Sequence, residues 1–499
     1  MYKSVMKKLK YIILLLIVPL LASCYDFLEK EPLDTINTSN YWVTEGDAIA
    51  AINGAYQPLQ WPKLYNMRMW TSDIMAGNSI VGAGGGTDGI ETQDMQNFNV
   101  SSDNPGVLDL YRGPAPGILR TNLILENVPD MEINPGLKER VLGEAHFLRA
   151  HYYFILLQYF GDVPILTEPQ YPGDDLLIPR SPKEQVYELI VSDLEQAITL
   201  LPPKEDYSSA DIGRASKGAA IGQLAKVHLT LGNWDKVVQL TEQVRGLGYR
   251  LNPDYADNFD PENGNSQESL FEIQYSGKTS FDFWSDQNQA SWLSTFTGPR
   301  NSGIVAGGWG WNQPTQEFID AYEEGDLRKD VTVLYEGGPD FYGYEYDPNW
   351  SYTGYNLRKF LAPKSVADTF DDSPMNFPVL RYADVLLMEA EALNELGRTS
   401  EAEEPLNQVR NRAGLDNISG LSQSDFREAV LHERRMELAF EGQRWFDLIR
   451  VDDGRGRGRW GLDFLHSIDR TNATETDLLF PIPQAEIDSN PNLTQNPGY

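Results

Sequence analysis

The chain has 499 residues, of which 41% are hydrophobic, and its formal net charge is −32. This length and apolar content allow a large buried core. The acidic balance argues against nucleic acid as a partner, and against anionic lipid held by charge alone.

Residues 1–23 predict a lipoprotein signal peptide. Lysines precede an apolar run over residues 11–22, which is shorter than the roughly 20 residues that a membrane-spanning helix needs. Leu-Ala-Ser then leads to Cys24, the only cysteine, in an arrangement similar to a bacterial lipobox. We expect cleavage before Cys24 and lipid attachment to its sulfur, with residues 24–40 as a lipidated tether.

Helical patterns follow over residues 44–69, with a kink expected at Pro58, and over residues 136–160 and 182–201. Ser181 and Pro182 are predicted to cap and begin the last of these helices. Residues 82–89 fit G-x-G-x-x-G literally, but no βαβ unit surrounds them. We therefore interpret them as a mobile loop at a binding surface.

A helix pair recurs in the chain. Leu231-Gly232 is followed by Gln-Val-Arg at residues 243–245, and Leu396-Gly397 is followed at the same spacing by Gln-Val-Arg at residues 408–410. In this second pair Gly397 is predicted to end the first helix, and Thr399 and Ser400 are predicted to cap the next one. Such pairs stack to bury their apolar faces, which predicts a tetratricopeptide-like helical solenoid.

Helical periodicity largely disappears between about residues 252 and 372, apart from a predicted strand at residues 270–275. Five of the 11 tryptophans lie there. They are Trp284, Trp292, Trp309, Trp311 and Trp350. Loops on one face of a helical scaffold commonly carry the binding surface. The fold prediction is therefore a mostly α single domain over residues 41–499, with a helical scaffold at 41–250 and 379–450 and a loop-rich insertion.

The apolar C–H face of a pyranose stacks on aromatic rings, so the tryptophans favour sugar binding. The candidate ligand-binding residues are Trp70, Asp73, Asn78, Trp284, Trp292, Trp309, Trp311 and Tyr344. Asp286, Asn288 and Arg300 are further candidates for the polar rim. The alternative for each loop tryptophan is packing of the irregular segment itself. Trp42, Trp234, Trp445 and Trp460 accompany helical patterns and are assigned to packing.

Catalytic and metal-binding signals are weak. The adjacent carboxylates at residues 323–324 and 371–372 are expected by chance in so acidic a chain, and no hydrolase or phosphate-binding motif occurs. His146 and His151 are five residues apart, which is poor spacing for joint metal ligation. The oxygen-rich run at residues 257–268 could hold calcium but lacks EF-hand spacing, so turns are favoured.

Two features remain near the carboxyl end. The basic run at residues 455–460 is interpreted as a solvated loop, with contact to an acidic partner as the alternative. Residues 480–499 are rich in proline and predicted to wrap back across the helices.

Four segments together resemble the SusD/RagB family. They are EAHFLRAHYYFILLQYFGDVPI at residues 144–165, RYADVLLMEAEALN at 381–394, RRMELAFEGQRWFDLIR at 434–450 and FPIPQAEIDSNPNLTQNPGY at 480–499. The family consists of surface lipoproteins that capture nutrients, mostly glycans, for an outer-membrane transporter. The resemblance implies a non-catalytic, cofactor-free protein on the outer face of the outer membrane, with a SusC-like TonB-dependent transporter as its partner.

Three functions stay open at this point. The first is glycan capture for polysaccharide utilization, and the second is peptide capture by the same fold. A secreted glycoside hydrolase is the third, and it fits the helix-pair pattern poorly.

Overall fold

The computed structural model describes residues 41–85, 88–171, 173–277, 285 and 288–499. About 49% of the chain is helical and 6% is strand, which confirms the mostly α fold class. The predicted signal peptide, Cys24, the tether, Trp284 and Asp286 lie outside the described residues.

Eighteen helices are numbered here in chain order within the described residues. They are α1 Glu45–Tyr56, α2 Thr71–Met75, α3 Ile90–Gln96, α4 Pro105–Arg112, α5 Ala115–Asn127, α6 Pro135–Phe160, α7 Lys183–Leu200, α8 Lys217–Leu231, α9 Trp234–Gly246, α10 Leu293–Thr297, α11 Gln316–Asp320, α12 Arg328–Thr332, α13 Tyr382–Glu395, α14 Thr399–Arg412, α15 Gln423–Glu437, α16 Arg444–Arg450, α17 Arg459–Ser467 and α18 Gln484–Ser489.

Short strands pair antiparallel in three two-stranded sheets of the described chain. They are β1 Ser79–Gly82 with β3 Trp311–Pro314, β2 Ser269–Ile273 with β6 Phe377–Arg381, and β4 Val333–Leu334 with β5 Asn356–Leu357. The predicted strand at residues 270–275 is therefore confirmed as β2. Its partner β6 lies at the start of the second helical region, so this sheet joins the insertion to the scaffold.

The repeated helix pairs are present. Both α8 and α13 end at a glycine with positive φ, Gly232 at 73° and Gly397 at 75°, a conformation that side chains with a β-carbon disfavour. The following helices α9 and α14 pack back on their partners, and α9 also packs against α13. The helices α5 to α9 and α13 to α15 thus form one continuous array, as the spacing of the repeat predicts.

Three local predictions are wrong. The first helix ends at Tyr56 and a 3₁₀ turn carries Pro58, because proline removes a helical donor. Pro182 takes the cap position of α7 without a side-chain cap, so Ser181 does not cap it. The cap residue of α14 is Arg398, while the Thr399 hydroxyl donates to Asn394.

A buried network of ion pairs fastens the loop-rich insertion to the helical scaffold. Arg381 is 1% exposed and bonds to carboxylates of Glu268, Glu437 and Glu441 at 2.5 to 2.9 Å. Glu437, at the end of α15, also accepts from Arg412 at 2.5 Å and from Arg328 at 3.3 Å. Buried charges require such complete pairing, so these contacts fix how α12, α14, α15 and β6 meet.

The tight turn after α15 completes this network. Phe440 has a φ of 63°, which is uncommon for a bulky residue. Lys359 holds the turn by donating to the carbonyl of Ala439 at 2.8 Å and to Glu441 at 2.6 Å. Burial lowers the pKa of Lys359 to about 8, an effect that Glu441 opposes.

Replacing Glu437 with Gln should destabilise the protein strongly. The change leaves Arg381, Arg412 and Arg328 without a shared carboxylate in the interior, and breaking a buried pair costs about 3 to 5 kcal/mol. Equilibrium urea unfolding measures the difference. Glu401→Gln is the control, because Glu401 pairs with Arg398 at the exposed surface, and we expect no resolvable change there. Equal decreases in the free energy of unfolding for the two variants would contradict a stabilising role of the buried network.

Asp447 should make the free energy of unfolding depend on pH in the acidic range. Burial raises its pKa, but Arg434 and Arg450 outweigh burial and lower the pKa from 3.8 to about 2. The unfolded chain therefore binds this proton at higher pH than the folded chain, so the stabilisation is present above pH 4 and is lost as the pH falls toward 2. The loss amounts to about 2 kcal/mol.

Urea unfolding across this pH range should show a steeper loss for the natural protein than for Asp447→Asn. If the free energy of unfolding depends on pH in the same way in both proteins, Asp447 does not contribute to the pH dependence of stability.

Candidate functional site

A cluster of aromatic rings runs from the core to the surface of the insertion. Trp70, Trp292 and Phe296 are buried, whereas Trp309 and Trp311 are half-buried. The Phe296 ring centre lies 4.9 Å from that of Trp309 and 5.8 Å from that of Trp311, both edge-on. Edge-to-face contacts of this kind stabilise ring pairs, so the buried rings hold the two outer tryptophans in fixed positions.

The backbone of residues 307–311 also fixes Trp309 and Trp311. Trp311 begins β3 and pairs with Gly82 of β1, while the Trp309 amide donates to the Thr295 carbonyl at 2.8 Å. Gly308 lies directly before Trp309 at a φ of 75°, and a β-carbon there would lie 2.6 Å from the Pro299 carbonyl oxygen. Glycine is therefore required for the close backbone approach that leads into Trp309.

Polar and aromatic groups complete the rim. Asp88 and Arg300 form an ion pair of 3.1 Å, and each side chain is 41% exposed. Arg300 also donates to the Trp309 carbonyl at 3.2 Å, and Tyr352 is 66% exposed. The Tyr352 hydroxyl lies 2.9 Å from where a β-carbon on Gly85 would stand, so the ring covers this glycine. We call Trp309, Trp311, Tyr352, Arg300 and Asp88 the aromatic surface.

The aromatic surface can stack flat apolar faces and exchange hydrogen bonds. An exposed ion pair is worth little in water, so Asp88 and Arg300 can turn toward hydroxyl groups at small cost. The carboxylate accepts and the guanidinium only donates, so together they match vicinal hydroxyls. This chemistry suits a neutral polyhydroxylated ligand.

Trp70 and Trp292 belong to the core rather than to the ligand surface. Trp70 is 1% exposed and Trp292 is fully buried, so neither offers a ring face to a ligand in this structure. Both support the outer rings, since Trp70 lies edge-on to Trp311 at 5.9 Å and Trp292 stacks on Phe296 at 6.2 Å.

Asp73 and Asn78 are also interior, not rim, residues. The Asp73 carboxylate accepts the Phe440 amide at 3.2 Å and the Gly442 amide at 3.1 Å, and so stabilises the turn after α15. Burial raises the pKa of Asp73 to about 7, an effect that the Gly442 amide and Lys359 oppose. Asn78 accepts from Arg435 at 2.9 Å. Their charge and amide groups act within the scaffold.

The remaining candidate ligand-binding residues differ in their exposure to solvent. Asn288 is buried and accepts the Ala290 amide at 2.8 Å, so it too is structural. Tyr344 is 49% exposed on a hairpin that starts at Phe341, where it stays a predicted ligand contact. Trp284 and Asp286 lie outside the described residues.

Sequence reasoning missed two members of the aromatic surface. Tyr352 is one of many aromatic residues of the insertion, and no local pattern singles it out. Asp88 lies in the glycine-rich run at residues 82–89, and the interpretation of that run as a loop at a binding surface was a usable signal. The grouping of Asp88 with Arg300 depends on a contact across 212 residues, which no local pattern reveals.

Several of the carboxylates and histidines weighed for catalysis or metal binding serve the structure. Glu323 is bound by Arg410, which lowers its pKa, and Asp372 is buried. His146 contacts Asp193 at 2.6 Å, and His151 contacts the Tyr65 hydroxyl at 2.9 Å. Glu268, in the oxygen-rich run, pairs with Arg381 and Arg412.

The described residues contain neither a candidate metal-binding cluster nor a candidate membrane-spanning helix. No group of three or more His, Cys, Asp or Glu side chains there could hold a metal ion. Within the same residues, each helix is too short or too polar to cross a bilayer.

Two family models match the chain. One, described as "SusD family", matches residues 232–499. The other, described as "Starch-binding associating with outer membrane", matches residues 26–229.

Curated relatives match over more than three quarters of the chain. SusD-like protein P2 from Formosa agariphila is 30% identical, and the match covers 99% of this chain and 100% of the relative. Starch-binding protein SusD from Bacteroides thetaiotaomicron is 24% identical over 77% of this chain and 76% of its own.

Solved structures have the same fold. A laminarin-binding SusD-like protein aligns with a TM-score of 0.77 at 28% identity, over 92% of this chain and 100% of its own. Surface glycan-binding protein A from Bacteroides fluxus gives a TM-score of 0.78 at 26% identity, with the same coverage.

Gly89→Ala should displace the Trp311 ring. Gly89 has a φ of 61°, and a β-carbon there would lie 2.2 Å from the ring edge of Trp311. In ¹⁹F NMR of protein labelled with fluorotryptophan, the Trp311 resonance, assigned with Trp311→Phe, should move. Gly354→Ala is the matched control, because Gly354 has a φ of 83° and no atom lies within 4 Å of the added carbon. A Trp311 resonance that stays in place in Gly89→Ala, or moves equally in both, would contradict the packing described.

Proposed function

Since this chain belongs to the SusD/RagB family, we propose that it is a non-catalytic lipoprotein that captures glycans at the cell surface. The observation that carries the proposal is the aromatic surface, in which two half-buried tryptophans and an exposed tyrosine are held by a rigid backbone. Fixed rings bind without a large ordering cost, which favours stacking of sugar units.

The energetics suit capture followed by release. Covering about 100 Å² of apolar ring surface contributes roughly 2.5 kcal/mol before association costs. Three rings would contribute roughly 7 kcal/mol, and part of this is lost to ordering of the ligand. We therefore expect dissociation constants between about micromolar and millimolar. Such affinities allow a bound oligosaccharide to pass to a second protein.

The name of the laminarin-binding relative suggests a first ligand to test. The two proteins are 28% identical in sequence and have the same fold. The aromatic surface has one balanced ion pair and so favours a neutral glycan, which agrees with a glucan such as laminarin. We place laminarin first in a panel that also includes starch and acidic polysaccharides.

The proposal includes an anchor and a partner. Lipid attached at Cys24 would hold the protein on the outer membrane, with the acidic residues 24–40 as a tether. Delivery of the captured oligosaccharide would be to a SusC-like TonB-dependent transporter. The family description of association with the outer membrane supports this location.

Calorimetric titration of residues 25–499 tests glycan capture. We expect saturable binding to one neutral glycan, weakened tenfold or more by Trp309→Ala or Trp311→Ala and less by Tyr352→Ala, because two tryptophans offer larger ring faces. Tyr171→Ala is the control, since Tyr171 is exposed but bonded to Glu126 on the helical scaffold.

The same panel includes a peptide mixture and an assay for released reducing sugar. Heat with peptides alone would replace glycan capture by peptide capture, and turnover of a polysaccharide would revive a hydrolase. Equal loss of affinity in Tyr171→Ala and in Trp309→Ala would show that the aromatic surface is not the site.

A further inference from the structure

A pocket of about 340 Å³ lies on the helical scaffold, among α6, α7, α16 and the carboxyl-terminal segment. Leu157, Phe446 and Ile449 are buried lining residues, and Leu478 and Leu479 are half-buried. This volume falls in the range of small-molecule sites. None of its lining residues belongs to the aromatic surface, so it is a separate feature of the molecule.

The walls of the pocket are held in place. Gly161 ends α6 at a φ of 70°, and a β-carbon there would lie 3.0 Å from the Leu479 side chain. Asn496 is buried and donates to the carbonyls of Phe160 and Phe480 at 3.0 and 2.7 Å. The carboxyl-terminal segment is thereby fixed to the end of α6, so the pocket is part of the folded scaffold rather than a gap between loose segments.

Two exposed cations, Lys183 and Arg457, line this pocket, whose surface is mainly apolar. The arginines on either side of Arg457 are paired, Arg455 with Asp453 and Asp463, and Arg459 with Glu475. Among the described residues, neither Arg457 nor Lys183 has a carboxylate partner, and Arg457 donates weakly to the Ile449 carbonyl at 3.4 Å. Glu475 also lines the pocket, but Arg459 already binds it.

Arg457 also hydrogen-bonds with Tyr187, a neutral partner, so neither cation beside the cavity is neutralised by a carboxylate of the described residues. Guanidinium and ammonium groups bind carboxylates through charge-assisted hydrogen bonds, and the guanidinium fork matches both oxygens. Leucine, isoleucine and phenylalanine side chains favour an aliphatic or aromatic body. We propose that this pocket binds a small monocarboxylate with an apolar body, its carboxylate between Lys183 and Arg457.

The proposal gives the basic run at residues 455–460 a role that a solvated loop does not have. Arg455 and Arg459 hold the loop to neighbouring acids, and Arg457 is left to face the ligand. Binding here requires no glycan, so the two sites can be tested independently.

Calorimetry with octanoate as the probe tests this site, with octan-1-ol as its uncharged counterpart. We expect saturable octanoate binding and at least tenfold weaker octanol binding. Arg457→Ala and Lys183→Ala should each weaken octanoate binding about tenfold, since each removes a charge-assisted hydrogen bond. Arg455→Ala, two residues away and already paired, should leave it unchanged. All these exposed substitutions should preserve the circular dichroism spectrum and glycan affinity.

Three results would overturn the proposal. They are no saturable binding of octanoate to the natural protein, equal affinity for octanoate and octanol, and equal effects of Arg457→Ala and Arg455→Ala. Each of them leaves glycan capture at the aromatic surface untouched, so failure here is distinguishable from failure there.

Discussion

The buried carboxylates at the end of α15 are the constraint on which the structure depends. Glu437 and Glu441 lie in the interior and are compensated by Arg381, Arg412, Arg328 and Lys359, which come from four different parts of the chain. Removing charge from water is costly, and the cost is offset only when every partner is in place. We therefore regard the network as a device that selects one arrangement of insertion and scaffold.

This constraint reaches the aromatic surface. The turn that follows Glu437 presents two amides to Asp73 of α2, and α2 begins directly after Trp70. Trp70 in turn lies against Phe296 and Trp311. The positions of the outer rings thus depend on buried contacts with α2 and with the turn after α15. A rigid support of this kind explains how irregular loops can present a defined binding surface.

Much of the scaffold could be predicted from sequence, because helix periodicity and the paired Leu-Gly ends are local signals. The ligand-binding residues were harder to predict. Trp292 and Trp309 are both loop tryptophans, and only contacts with distant residues decide that the first is buried and the second is partly exposed. Asp73 and Asn78 were predicted to contact the ligand, but both are buried against partners that lie more than 350 residues away. The two cap predictions were wrong because other contacts engage the residues: the Thr399 hydroxyl donates to Asn394, and Ser181 pairs with Val163.

The same network has a consequence for the order in which the chain becomes stable. Glu268 has no pairing partner until Arg381 and Arg412 are present, and these lie 113 and 144 residues later in the chain. Arg180 binds the Thr494 carbonyl across 314 residues. A chain that ends before β6 therefore carries Glu268 without these partners and gains little by burying it. The charges of the network can all be paired only once the chain extends to Glu441.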